Sequence, residues 1–264
     1  FVLLIWPALA SAQSRFTADE AAVLQEGLTT TADAFILPAY EAQAQAAATL
    51  VGALDAYCSA EGDIATVEAA FADTFLAWQR SSIVMLGPIM AAEGPMRVQL
   101  WPDPKGFSDR AVRAALGAED PALLAEGGLE GRSIALTNLS ALEALVYDDL
   151  TPETYACALA TAIATFQADL AAELVSDWTP GSAFRQDYDS AATGNARFAS
   201  VDEVTRDILA GGVVYVDRLR KFKLLRGLGD AQGAARPERT EATQSGLGLQ
   251  SIEVSFRTLA DLYD

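Results

Sequence analysis

Histidine is absent from all 264 residues. That removes Ser-His-Asp and Cys-His catalytic sites, His-Glu-x-x-His zinc sites and imidazole ligation of iron or copper. Any metal must rest on carboxylate, carbonyl, hydroxyl or thiolate groups, a set that suits hard cations. Positive charge is scarce too. Lys and Arg number 18 against 36 Asp and Glu, a formal net charge of −18. Such a surface repels phosphate backbones, so nucleic acid is not expected as a partner. Alternating strand patterns are nearly absent, and there is no heptad array, solenoid period or low-complexity tract. Glycines recur in "GLGDAQGAARPERT", residues 227–240, without phosphate-loop spacing and without a preceding strand. No nucleotide role is assigned there, and no haem is expected.

Only the leading "FVLLIWPALASAQS" is a long apolar run, and it is too short to span a bilayer comfortably. It ends in Ala10-Ser11-Ala12, a small-x-small cleavage signature. Residues 1–12 read as the tail of a signal peptide cut after Ala12, with a membrane anchor or buried strand as the alternative. No later stretch reads as a transmembrane span. No cysteine stands at the cut, so no lipid anchor is expected there. The only two cysteines, Cys58 and Cys157, pair in an oxidising compartment, or else are two small buried hydrophobes. A bridge would close a loop of about 100 residues and stabilise the fold by at most about 4–5 kcal/mol.

What the chain has is helical period. Hydrophobic residues make up 51% of it, enough for a sizeable core. Ile64, Val67, Phe71, Phe75 and Trp78 recur at steps of three and four, as do Tyr155, Leu159, Ile163, Phe166, Leu170 and Leu174. Leu249, Ile252, Phe256 and Leu259 repeat the pattern. These are stripes of amphipathic helices, and Trp78 and Trp178 read as packing residues. Further helices are expected near 17–36, 39–59, 108–117 and 201–225, with Pro38 breaking the first stretch. Thr151-Pro152-Glu153 is expected to start a helix, with Thr151 as its cap. Residues 91–109 and 226–248 are long irregular loops, the first expected to pack and the second to be partly mobile. The acidic pair Asp148-Asp149 suggests a seam between residues 13–149 and 150–264. "RLRKFK", Arg218 to Lys223, reads as a solvated helix face, or as one that docks to an anionic membrane or the acidic seam. Asp217 can pair within it.

One acid falls in an apolar helix, "TNLSALEALVYDD", residues 137–149. At about 100° per residue, Leu139, Leu142, Leu145 and Val146 form one apolar face. Glu143 and Ser140 are i, i+3 neighbours on a second face, flanked by Leu136 and Tyr147. A carboxylate there is partly desolvated. It must pair, accept hydrogen bonds or hold a proton, unless it opens on a solvent groove. Arg80 and Arg97 are the expected partners, because guanidinium grips carboxylate in a fork.

Several ordered segments resemble the imelysin family, exported bacterial helical proteins classed as metallopeptidases and linked to iron uptake. "FADTFLAWQRSSIVMLGP" is similar to its Trp-containing helix ending in Gly-Pro, here Gly87-Pro88. "RVQLWPD" is similar to its Arg-to-Trp-Pro segment, here Arg97, Trp101, Pro102 and Asp103. "VDRLRKFKLLRGLG" and "QSGLGLQSIEVSFRTLADLY" resemble its last two helices and the loop between. The family signature is Gly-x-His-x-x-Glu. Here Asn138 and Ser140 stand at the glycine and histidine positions, and Glu143 is kept. The resemblance implies an all-α fold of two packed bundles with this helix near their interface. It also implies a periplasmic protein with a cleft formed by Ser140, Glu143, Arg80, Arg97, Trp101 and Asp103. Trp101 would wall the cleft, the arginines would orient an anion or Glu143, and the acids would meet a cation. Glu143 is the candidate metal ligand, for iron or another hard cation; a hydroxyl and one carboxylate hold a metal weakly. No catalytic residue is assigned. A binding or accessory protein in iron uptake is expected, with a small anion or an exported protein as other partners. A scaffold with a decayed site is the alternative, and a metallopeptidase fits least.

Overall fold

The computed structural model describes residues 15–91, 94–148, 150–231 and 233–263. The leading apolar run with its expected cleavage point, and Asp149, lie outside them. The described residues are helical and contain no strand. In chain order the helices are α1 (Ala18–Thr31), α2 (Leu37–Cys58), α3 (Ile64–Ser81), α4 (Phe107–Ala118), α5 (Ile134–Thr137), α6 (Leu139–Val146), α7 (Tyr155–Trp178), α8 (Ala183–Asp189), α9 (Val201–Arg218), α10 (Leu225–Leu228) and α11 (Gly248–Tyr263).

The starts follow local chemistry. Thr17 and Glu20 form a reciprocal capping box on α1, and Asp63 caps α3 through the Thr66 N–H at 2.9 Å. The cap of α7 is Thr154, three residues after the expected Thr151, and it accepts from the Cys157 N–H at 3.3 Å. Glu153 explains the shift: its φ of 59° is left-handed, and its N–H goes to the Cys58 carbonyl at 3.1 Å. The helix therefore cannot begin before it.

The core is α2 packed between α3 and α7. Leu50 and Leu54 of α2, Phe71, Phe75 and Trp78 of α3 and Leu159, Ile163 and Trp178 of α7 belong to one buried core, with Trp178 facing Tyr40 of α2 at 6.5 Å between ring centres. Both tryptophans are packing residues. Cys58 and Cys157 are bonded, with Cα atoms 5.6 Å apart, and tie the end of α2 to the start of α7. Contrary to the reading that nothing past the leading run approaches a membrane span, α7 is long and apolar enough by length and composition. Its Leu159, Ala160, Ile163 and Ala164 are covered by protein, so it serves here as the core helix.

Three further expectations change. The helix does not break at Pro38. Residues 18–58 form one rod, with a wider π turn at Ala32–Ile36 in which the Leu37 N–H reaches back five residues to Ala32. Widening the turn just ahead of Pro38 moves the upstream carbonyls that a proline ring would strike. The basic run is not wholly solvated either. A second π turn, Leu219–Leu224, carries Leu219 and Lys223 inward, while Lys221 stays out and pairs with Asp217 at 2.8 Å. Lastly, α11 turns Ser251, Ser255 and Thr258 inward and leaves Leu249 82% exposed. The inward hydroxyls are satisfied: Ser255 donates to the Ser251 carbonyl at 2.7 Å, Thr258 to that of Val254 at 2.8 Å, and Ser251 to Glu241. A small hydroxylated face fits the polar core that α11 covers; the leucine stripe would not.

That polar core is an ion pair. Lys223 Nζ lies 2.7 Å from Glu241 Oε1, and the two side chains are only 4% and 1% exposed. Lys223 also donates to Gln79 at 2.6 Å, and Gln99 donates to Glu241 at 3.1 Å. Trp78 Nε1 donates to Gln99 at 3.0 Å. Elsewhere the buried Arg185 of α8 holds Asp33, in the first π turn, at 2.7 Å and Asp189 at 2.9 Å.

Candidate functional site

Asn138 starts the site. Its backbone is extended at φ −102° and ψ 168°, so the expected single helix is split into α5 and α6 there. Its Oδ1 accepts from the N–H groups of Ser140 at 2.6 Å and Ala141 at 3.2 Å, a cap that fixes where α6 begins. The buried Gln167 of α7 donates to the carbonyls of Thr137 at 2.6 Å and Arg97 at 2.8 Å, and the Leu139 N–H donates to Val98 at 2.8 Å. These bonds pin α6 to the loop that carries Trp101 and Asp103. Leu139, Leu142, Leu145 and Val146 are buried, as the helical angles require.

Glu143 is 9% exposed. Its Oε1 accepts from the Ser245 N–H at 2.9 Å and from the Ser245 hydroxyl at 2.7 Å. Burial raises its carboxyl above the ordinary 4.5, and Glu241 adds to the rise, while the Ser245 and Gln244 hydrogen bonds oppose it. The folded chain thus holds this proton at higher pH than the unfolded chain does. Its contribution to stability is largest below the unfolded value of about 4.3. It declines as pH rises through the folded value and stays low beyond. Glu143→Gln is therefore expected to gain stability relative to the parent as pH rises from about 4 to 8. Urea unfolding across that range checks it; a pH-independent difference would contradict the assignment.

A cavity of about 500 Å³ opens beside α6. Trp101 and Asp103 line one side, Ser140 and Glu143 another, and Arg226, Arg239 and Gln244 a third. Four of the six residues expected in the cleft thus meet. The other two sit elsewhere. Arg80 pairs with Asp261 and covers the Phe35 ring at 5.0 Å, and Arg97 covers Phe166 at 5.3 Å. Arg226 stands on α10, and Arg239 and the Ser245 that holds Glu143 come from the loop after it; residues 226–248 carry no periodic signal that would have marked them.

Residues 36–264 match the family model for imelysin, a peptidase class. The chain belongs to the imelysin family. The crystal structure of an imelysin-like protein from Psychrobacter arcticum 273-4 superposes with a TM-score of 0.75 at 18% identity, over 92% of this chain and 74% of that one. That likeness shows the shared all-α fold. No curated protein matches.

The iron that the family implies can be tested against the donors present. Among the described residues no group of three or more Asp, Glu or Cys side chains is placed to hold a metal ion. Glu143 is the candidate ligand, and its Oε1 already takes two hydrogen bonds from Ser245. This donor set does not fit a protein-ligated metal.

Proposed function

We propose that this chain is an exported imelysin-family binding protein. It takes a small polar organic ligand in the cleft beside Glu143 and acts as an accessory in iron uptake without hydrolysing peptides. Export is supported by the leading apolar run and by the disulfide. The iron link rests on the resemblance alone.

The observation that carries the ligand reading is Asp103. Its Oδ2 accepts from the Ser108 N–H at 2.8 Å, while its Oδ1 is buried and meets no donor among the described residues. A buried acceptor left unmet costs about 1–3 kcal/mol, so a ligand N–H or O–H entering the cleft would be held there. Arg226 and Arg239 offer donors across the cavity, and Trp101 offers a flat apolar wall steadied edge-on by Phe222, with ring centres 6.2 Å apart. The ligand class is a small molecule with both a hydrogen-bond donor and an anionic group. Glu143 then acts as an anchor for the loop that closes the cavity.

Calorimetric titration of the chain with a panel of amino and hydroxy acids, alongside iron salts and divalent cations, tests this. Saturable binding of an organic compound, weakened at least tenfold in Asp103→Ala, is the expected result. Micromolar iron binding lost in Glu143→Ala would replace this reading with a metal site, and chelator-sensitive proteolysis by pure protein would replace it with a peptidase.

A further inference from the structure

A second pocket of about 400 Å³ lies between α10 and the loop that follows it. Arg226, Arg236 and Arg239 line it, against one carboxylate, Asp230. This is an inversion on a chain of net charge −18. Where acids outnumber bases twofold, three arginines around one hollow need a reason. Ion pairing does not supply it. Among the described residues none of the three forms a salt bridge, although Arg80, Arg185, Arg197 and Arg257 all do. Glu241, a nearby acid in the same loop, is taken by Lys223 in the core.

The backbone builds the hollow. The Arg236 N–H donates to the Gly227 carbonyl at 2.7 Å, which folds the loop back onto α10. Gly229 makes this possible. Its φ is 71°, and a Cβ there would lie 2.4 Å from the Ala234 carbonyl oxygen, so no other residue lets the two strands of the loop approach. The single turn Pro237–Arg239 then returns Arg239 toward Arg226. Arg236 is steadied by a bond from Nη1 to the Ala235 carbonyl at 3.0 Å, and a guanidinium carries five N–H donors in all.

We infer that this pocket is a binding site for a small oxyanion, a phosphate or carboxylate group, gripped by the Arg226, Arg236 and Arg239 guanidiniums. Planar forked donors match such groups two bonds at a time. The repulsion of the distant acids is screened over about 8 Å at physiological salt, so the local arginines set the potential that an anion meets. Arg226 and Arg239 also border the cleft beside Glu143, whereas Arg236 lines only the arginine pocket. The anion site thus shares two arginines with the cleft, and Arg236 is the residue that tells the two apart.

The experiment is titration of the chain at physiological ionic strength, where the distant acids are screened, with inorganic phosphate and, separately, with succinate. Saturable binding is expected, at least tenfold weaker in Arg236→Ala and partly restored in Arg236→Lys, which returns charge without the fork. Arg236 is exposed, so a circular-dichroism melt should not move. Preference for phosphate would assign a phosphorylated ligand, and preference for succinate a carboxylate. Binding of amino or hydroxy acids in the cleft should survive Arg236→Ala. No saturable binding of either anion to the parent, or equal affinity in Arg236→Ala, overturns the inference.

Discussion

Glu241→Ala is expected to destabilise the protein by about 3–5 kcal/mol, because it leaves the Lys223 ammonium buried without a counter-charge. The pair sits at 2.7 Å beneath α11, and little water reaches either group. Burial already works against the Lys223 charge, holding its pKa below the usual lysine value, and Glu241 is what offsets this. Gln99 and Ser251 lose an acceptor in the same substitution. The loss should extend to the cleft, since Glu241 anchors the loop whose Ser245 holds Glu143. The double variant Lys223→Met, Glu241→Leu should recover part of the stability, because the Lys223 ammonium is then no longer left buried and unpaired. Urea unfolding of the two variants checks both. A cost below about 1 kcal/mol for the single change would mean that water reaches the pair and screens it.

The disulfide carries the second large effect. Cys58 and Cys157 are 99 residues apart in sequence, so the bond closes a loop that would otherwise be free in the unfolded chain. For about 100 residues the chain-entropy model gives about 4–5 kcal/mol. Cys58→Ser with Cys157→Ala should therefore lower the melting midpoint by about 10 °C or more in a chain of this size. Alanine suits position 157, which is fully buried. A shift of only a few degrees would mean that the packing of α2 on α7 already restrains the unfolded ensemble.

The fold was legible wherever a stripe met a flat partner. The three-and-four spacing of α3 and α7 places Phe71, Trp78, Leu159 and Ile163 in the core. The angle of Glu143 on α6 marks it as partly desolvated, whereas the Asn138 cap, which splits the helix expected over 137–149, was passed over. The partner of Glu143 was not legible. Ser245 lies 102 residues away in a loop without period, and such a contact is decided by tertiary packing alone. The same holds for Arg226 and Arg239. Lys223 was misread because periodicity assumes an unbroken α register, and the π turn at Leu219–Leu224 shifts that register within the basic run itself. On α11 the apolar stripe was right only in part: Leu259 packs against the core, but Leu249 and Phe256 face out. The interior it meets is an ion pair, and there a serine is worth more than a leucine.

The first π turn has a mechanical consequence. The rod from Ala18 to Cys58 never interrupts its backbone, yet its two ends answer to different neighbours: α1 rests on α8 and α9, and α2 on α3 and α7. A helix that long is stiff along its axis, so the two groups share one axle. Arg185 grips Asp33 at the very turn where the axle changes face, so α8 is tied to the junction between its two halves.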